Sequence, residues 1–412
     1  MILVKKTCSV NHNIGLISQI GGFTVSEGIF NSWGTERVVF GAGTFHKIAE
    51  LSNGLGALRV YVILSQSLAK NSTVKADLEK LFGNKIIGWQ IGMPQHMPRP
   101  AILKVAETVR SLNADQLLCI GGGSIIDSAK MIQLCISQRI QNTVEFDQYV
   151  SSVDMNGVSL QPSIAAQTIR TICVPTTLSG AEFTGRAGSV DPLTSHKQIY
   201  VHKNFAPQVV VLDPTITLKT PLDLWFSSGI RAIDHAVESL CSPDCNPYAE
   251  GLAANGLQLL SKGLRDVHHQ NENITARLNC QLGSWSAIGA LQAGATMGAS
   301  HGIGHALGGL GVPHGYTSCV VLAHVLRYNY STNMHKQKSI SHLMNDPHKD
   351  AADAVSDLVK SLGLPTRLRD VGIKQNDLKL VAENSMKDKW IHTNPKKIST
   401  EADVMSILES AW

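Results

Sequence analysis

The sequence predicts an α/β domain built on a doubly wound parallel sheet, followed by an all-helical domain. Three observations lead there. Short β-branched runs alternate with helical spacings as far as Pro214. One of those runs ends in three glycines that open a helix. Beyond Pro214, apolar residues recur at helical spacing to the C-terminus with few strand-like runs. The expected boundary separates a nucleotide-binding domain, 1–214, from a helical domain, 215–412.

Taken in order, residues 1–30 carry little signal. Arg37-Val38-Val39-Phe40 reads as a strand entering a tight turn at Gly41-Ala42-Gly43, with Thr44 as the expected cap of the next helix. Arg59–Leu64 is apolar and β-branched, the mark of a strand buried on both faces. Ser65 ends it, and Val74, Leu78 and Leu81 lie on one face of a following helix. Ile86–Trp89 is a third strand, and Ile102, Val105, Val109 and Leu112 mark another helix. Gln116–Ile120 then runs into Gly121-Gly122-Gly123-Ser124 and a helix through Asp127. Backbone N–H groups and a helix N-terminus converge there, which suits a phosphate, and glycines let a pyrophosphate approach the main chain. The arrangement is not GxGxxG, so the usual dinucleotide fingerprint is absent.

Residues 136–168 read as a polar connection or insertion. Strand Thr171–Pro175 leads into Thr176, Thr177 and Ser179, hydroxyls placed at a strand's C-terminal end where a nucleotide binds. Val209–Leu212 closes the first half. In the second half, Tyr328-Asn329-Tyr330 is expected on a loop, and Leu362–Thr366 is a helix stop.

The chain has 412 residues, 43% hydrophobic and 17% charged, with a net charge of +4. No Lys/Arg-dense run points to nucleic acid, and no apolar run is long enough to span a bilayer. The start lacks a secretory pattern, and eight scattered cysteines suit a reducing compartment, so a cytoplasmic location is expected. Cys241 and Cys245 lie close together, but no second pair supports metal chemistry, and a structural role is expected.

Chemistry concentrates in Ser300–Gly315, where His301 and His305 stand four apart on one predicted helical face and His314 follows a Gly-rich break and a proline. His235 lies upstream in Arg231-Ala232-Ile233-Asp234-His235-Ala236-Val237-Glu238. Imidazoles serve as metal ligands and as acid–base groups near neutral pH.

From about Val39 onward, Phe40–Gly43, Gly121–Lys130, Pro175–Thr177, Leu212–Pro214, the His235 segment and His301–Asn329 together resemble the iron-containing alcohol dehydrogenase family. His235–Leu240, Ser242–Pro247, His305–Gly309 and Pro313-His314 are most similar to its maleylacetate reductase branch. The resemblance implies the dehydroquinate synthase-like fold, with a Rossmann-like first domain, and hydride transfer from NADH or NADPH. It also implies a small-molecule substrate and a homodimer. It places the pyrophosphate at Gly121, Gly122, Gly123 and Ser124, and other cofactor contacts at Asp127, Thr176, Thr177, Ser179, Lys197 and Ser65. Ser65 offers no carboxylate to a ribose 2′-hydroxyl, so NADPH is acceptable beside NADH.

Metal-dependent relatives use one Asp and three His ligands. Here His235, His301 and His314 match the imidazoles, but Arg231 stands at the Asp position. A guanidinium cannot ligate and repels a cation. The gap from His301 to His314 is also one residue shorter than usual. A divalent metal is therefore not expected. Arg231 is expected either to bind a substrate carboxylate or to pair with Asp234 or Glu238. His305 is the expected general acid, with His235, His301 and Arg231 polarising an oxygen or holding carboxylates. The function implied is an NAD(P)H-dependent reductase of an enone or keto acid. The alternatives are a metal-dependent alcohol dehydrogenase, or a family member repurposed as a lyase or isomerase.

Overall fold

The computed structural model describes residues 34–94, 97–153, 159–160, 162–191 and 197–412. Residues 1–30 and the side chain of Lys197 lie outside that description. Strand β1 (Arg37–Phe40) precedes α1 (Ile48–Gly54), and β2 (Val60–Leu64) leads to α2 (Gln66–Asn71) and α3 (Val74–Phe82). Then come β3 (Ile86–Ile91), α4 (Arg99–Ser111), β4 (Gln116–Gly121) and α5 (Gly123–Ser137). A short antiparallel pair, β5 (Ser152–Val153) and β6 (Ser159–Leu160), precedes β7 (Arg170–Pro175). An antiparallel hairpin, β8 (Arg186–Val190) and β9 (Lys197–Val201), comes before β10 (Val209–Leu212).

Six strands form one sheet in the order β1-β10-β7-β4-β2-β3, every neighbouring pair parallel. All residues of β2, β4 and β10 are buried, as helices on both faces require. The period of two sorts them. Tyr61, Ile63, Leu117 and Cys119 pack with α4 and α5, while Val60, Val62, Leu64, Leu118 and Ile120 pack with α1 and α3. The chain steps outward from β2 to β3, and β4 then inserts on the other side of β2. The winding direction reverses between β2 and β4, and the crevice such a reversal leaves is where ligands bind in open α/β sheets. Ser65 and the three glycines end the two strands that flank it.

The second half is α6 (Leu222–Cys241), α7 (Pro247–His269), α8 (Ile274–Gln292), α9 (Ala299–Gly309), α10 (His314–Leu343), α11 (Ala351–Ser361), α12 (Leu378–Ser385), α13 (Lys389–His392) and α14 (Glu401–Ala411). One apolar cluster runs through it, and α6 is buried from Trp225 to Cys241. The halves are clamped at the segment after β7. The Leu178 N–H donates to Ser228 Oγ at 3.1 Å, Ser284 Oγ donates to Leu178 O at 2.9 Å, and Thr220 Oγ1 donates to Thr176 O at 2.8 Å. No described helix is long and apolar enough to cross a membrane.

Four local expectations are corrected. Thr44 caps no helix; its hydroxyl donates to Gly41 O at 2.7 Å, and Gly43 occupies the cap position. On α3 the third buried residue is Phe82 rather than Leu81, so the stripe is rotated by one position. Residues 136–168 are not simply polar: Ile140, Phe146 and Ile164 enter the core beside α4 and α5, and Asp147 pairs with Arg99. Tyr328-Asn329-Tyr330 lies inside α10 rather than on a loop. Tertiary packing overrides the weak helix propensity there, because Asn329 is buried and exchanges side-chain hydrogen bonds with Asn394.

Candidate active site

The glycine turn forms a lined cradle. A Cβ on Gly121 would stand 2.7 Å from Ile125 Cγ1 and 3.1 Å from Ser65 Cβ. On Gly122 it would meet Thr177 Cγ2 at 3.0 Å, and on Gly123 the Ser179 hydroxyl at 3.0 Å. The glycines thus keep Ser65, Thr177 and Ser179 close to the main chain, and the Thr176 N–H donates to Gly121 O at 3.0 Å. The first turn of α5, with Ser124, presents its N–H groups at that point. Asp127, one turn on, pairs with Lys130 at 3.0 Å. Lys130 is buried and also donates to Ala181 O and Arg186 O, both at 2.7 Å, tying β8 to the helix under the turn.

Glu182 lies beside this lysine with Oε2 unpartnered, and burial pushes its carboxyl up to about 7, against the charge of Lys130. A folded-state value above the unfolded one means that the native state holds the extra proton. Its stabilising effect is present below about pH 4.5 and is lost as pH rises through about 7. Glu182→Gln is therefore expected to flatten the fall in unfolding midpoint between those values, by up to about 3 kcal/mol. Denaturant titrations of both proteins across that range check it; parallel curves would show that Glu182 does not titrate in the window.

The histidines come from three helices. His235, at the centre of α6, and His301, in the first turn of α9, are buried with ring centroids 4.9 Å apart. Burial holds both well below the usual imidazole range, helped by the charge of Arg231. His301 Nδ1 lies 2.7 Å from Glu238 Oε2. Glu238 also accepts from the N–H groups of Gly298 and Ser300 at 2.9 and 2.8 Å. With Glu238 ionised, the His301 proton sits on Nδ1; Nε2 has no partner among the described residues, and neither has His235 Nδ1. His305 is one turn beyond His301 and 42% exposed, with Nδ1 2.7 Å from Asp388 Oδ2. His314 opens α10 with its ring nearly parallel to that of His305, centroids 6.3 Å apart.

Arg231 is buried against α9 and α10. Its Nη1 donates to Ser318 Oγ at 3.0 Å and lies 3.5 Å from Asp234 Oδ2, the ion pair anticipated as one of its two roles. A Cβ on Gly304 would come within 3.3 Å of that nitrogen, so glycine there leaves room for the guanidinium. Asp234 accepts from Ser300 and Ser318 and lies 3.5 Å from His301 Nδ1, the side already taken by Glu238.

A guanidinium sets this donor set apart from an ordinary site for a divalent transition ion. The described acids and imidazoles whose ligand atoms converge are Asp234, Glu238 and His301. Serine hydroxyls, backbone N–H groups and Arg231 already engage three of those four carboxylate oxygens, and Asp234 Oδ1 has no partner among the described residues. The neutral nitrogens left over, on His235 and His301, face a fixed cation.

Two family descriptions match the chain, "Iron-containing alcohol dehydrogenase" over residues 35–214 and "Fe-containing alcohol dehydrogenase family, C-terminal" over residues 226–412. The chain belongs to the iron-containing alcohol dehydrogenase family. The dehydrogenase ALT3 of Alternaria alternata is 33% identical over 390 residues, 86% of this chain and 99% of that protein. A maleylacetate reductase of Pseudomonas sp. (strain P51) is 28% identical over 383 residues, 92% of this chain and 96% of its own. The crystal structure of maleylacetate reductase from Agrobacterium tumefaciens has a TM-score of 0.77 at 25% identity, covering 94% of this chain and 99% of that one. Within the iron-containing alcohol dehydrogenase family the chain therefore sits with the maleylacetate reductase-like branch, and it is a dehydrogenase or reductase.

The structure brings Arg231, His235, His301, His305 and His314 to one place, and Ser65, Gly121–Ser124, Thr177 and Ser179 to another. Sequence reading missed the partners that orient them. Glu238, Ser300 and Ser318 lie inside segments already singled out, but Asp388 is 83 residues from His305 and carried no signal.

Proposed function

We propose that this family member is an NAD(P)H-dependent reductase of a carboxylate-bearing enone or keto acid that works without a resident divalent metal. The observation that carries the reading is Arg231, a fixed cation built into the cluster where relatives place a ligand carboxylate. The turn at Gly121–Ser124 holds the pyrophosphate, and Thr176, Thr177 and Ser179 line the nucleotide beyond it. Ser65 brings no carboxylate that would repel a 2′-phosphate. When bound, the nicotinamide supplies a hydride from C4 to the electrophilic carbon of the substrate. His305 delivers the balancing proton from Nε2, since Asp388 holds Nδ1, and solvent returns it. His235 and His301, kept neutral, accept hydrogen bonds or line the pocket without adding charge, and Arg231 supplies fixed positive potential near the developing oxyanion.

The second reading, a metal-dependent alcohol dehydrogenase, is favoured by the unpartnered nitrogens of His235 and His301. Elemental analysis after a mild chelator wash separates the two. The expected result is substoichiometric iron and zinc, together with chelator-insensitive oxidation of NADH or NADPH in the presence of maleylacetate. Stoichiometric metal with chelator-sensitive turnover of simple alcohols would replace the proposal with the second reading. Failure to bind either coenzyme would favour non-redox chemistry.

A further inference from the structure

Arg186 begins β8, next to the helix that carries the glycine turn, and Lys130 holds its carbonyl. Its guanidinium lies 6.0 Å from the centre of the Trp390 ring, and Lys389 Nζ lies 4.3 Å from the same ring. Trp390 and Lys389 directly follow Asp388, the residue that holds His305, and the Trp390 N–H donates to Asp388 Oδ1 at 2.9 Å. Two cations therefore share one indole beside the proposed proton donor.

Each cation is attracted by the ring face, but the two repel each other. Burial lowers the affinity of both groups for their protons, and the charge of Arg186 adds to the effect on Lys389. No described carboxylate lies within ion-pair distance of either cation. Asp388, the acid at hand, is committed to His305 and the Trp390 N–H. Arg186 is half-buried and Lys389 exposed, so an anion arriving from solvent can meet both charges beside the ring. Arg231 cannot serve it directly, being buried and engaged by Ser318 and Asp234.

We propose that Arg186 and Lys389, backed by the Trp390 ring, form a carboxylate-binding subsite that selects substrates carrying an anionic group remote from the reacting bond. The guanidinium fork suits a bidentate carboxylate, the ammonium adds a point charge, and the indole gives the intervening carbon chain an apolar floor. The inference rests on the reductase reading for its substrate, but the subsite can be tested apart from turnover.

The experiment compares wild type, Arg186→Met, Arg186→Lys and Lys389→Met as full chains. Turnover is measured with maleylacetate and with its dimethyl ester, using NADH and NADPH in turn. Binding is measured as protection from thermal unfolding by succinate, with succinamide as the neutral control and NADP+ present throughout. The expected result is a loss of kcat/KM for maleylacetate of about 10- to 150-fold in Arg186→Met, the worth of one charge-assisted contact. The ester should be little changed, Arg186→Lys should retain part of the preference, and both methionine variants should lose succinate protection. Loss of succinate protection in a protein that reduces neither compound would keep the subsite and overturn the reductase reading. Equal effects on acid and ester, or succinate protection that survives in Arg186→Met, would overturn the subsite and leave the reductase reading standing. A rise in KM for NADPH but not NADH would also overturn it, assigning the cations to a coenzyme phosphate.

Discussion

Replacing His305 with alanine is expected to lower kcat by about 10²- to 10⁴-fold, the usual range for a lost general acid, while coenzyme affinity stays unchanged. Geometry sets His305 apart from its neighbours. His235 and His301 are buried and held neutral, so neither exchanges protons readily with solvent. His305 is 42% exposed, and its Nδ1 is fixed by Asp388, which leaves Nε2 as the nitrogen free to meet a substrate. On the reductase reading Asp388 positions the imidazole. Asp388→Asn, which keeps an oxygen acceptor, should lower kcat less than loss of the imidazole and should leave KM for coenzyme alone. Coenzyme titration by fluorescence and single-turnover reduction separate the two effects. An alanine variant that binds coenzyme and reduces substrate at the wild-type rate would remove His305 from the chemistry.

The fold was legible where one physical rule governed a segment. The central strands β2, β4 and β10 are apolar because helices cover both faces, and such runs stand out in a sequence. The glycine turn was legible because the end of an apolar strand, three glycines and a helix start follow one another directly in the sequence. The β8–β9 hairpin was not. Arg186–Val190 and Lys197–Val201 are short and mix charged, small and apolar residues, so their pairing depends on contacts made elsewhere. The site divides in the same way. His301 and His305 announce a shared face through their spacing, but Arg186 and Asp388 reach the site from segments without local pattern. Arg231 was legible as an odd residue with Asp234 as a candidate partner on its own helix, but Ser318 from α10 came only from the structure.

Arg231 also carries the second large expected effect, on stability. Asp234 is fully buried, and burial together with the neighbouring Glu238 pushes its carboxyl up to about 7 even with Arg231 pulling the other way. Glu238 is raised to about 7 as well, again by burial first. Arg231→Met removes the opposing cation and leaves two coupled carboxyls in the core. Breaking such a network costs about 3–5 kcal/mol when the remaining charge is uncompensated. The pH dependence is the sharper test. An acid whose folded-state value is raised holds its proton in the native state, so its stabilising effect is present below the unfolded value and lost as pH rises through the folded one. Without Arg231 both carboxyls rise further, so the variant should continue to lose stability above about pH 7, where wild type has finished doing so. The gap between the unfolding midpoints should be small near about pH 5, where both acids are protonated in either protein, and largest near about pH 8. His235 and His301 titrate in the opposite sense, losing stability as pH falls below their unfolded value near 6.5. The missing Arg231 charge raises their folded values and narrows the gap further at low pH. Adding Asp234→Asn to the variant should recover part of the loss at high pH and none at low pH. A gap of the same size at every pH would mean that Arg231 acts by filling volume, and its place in the site would then have no electrostatic role to explain.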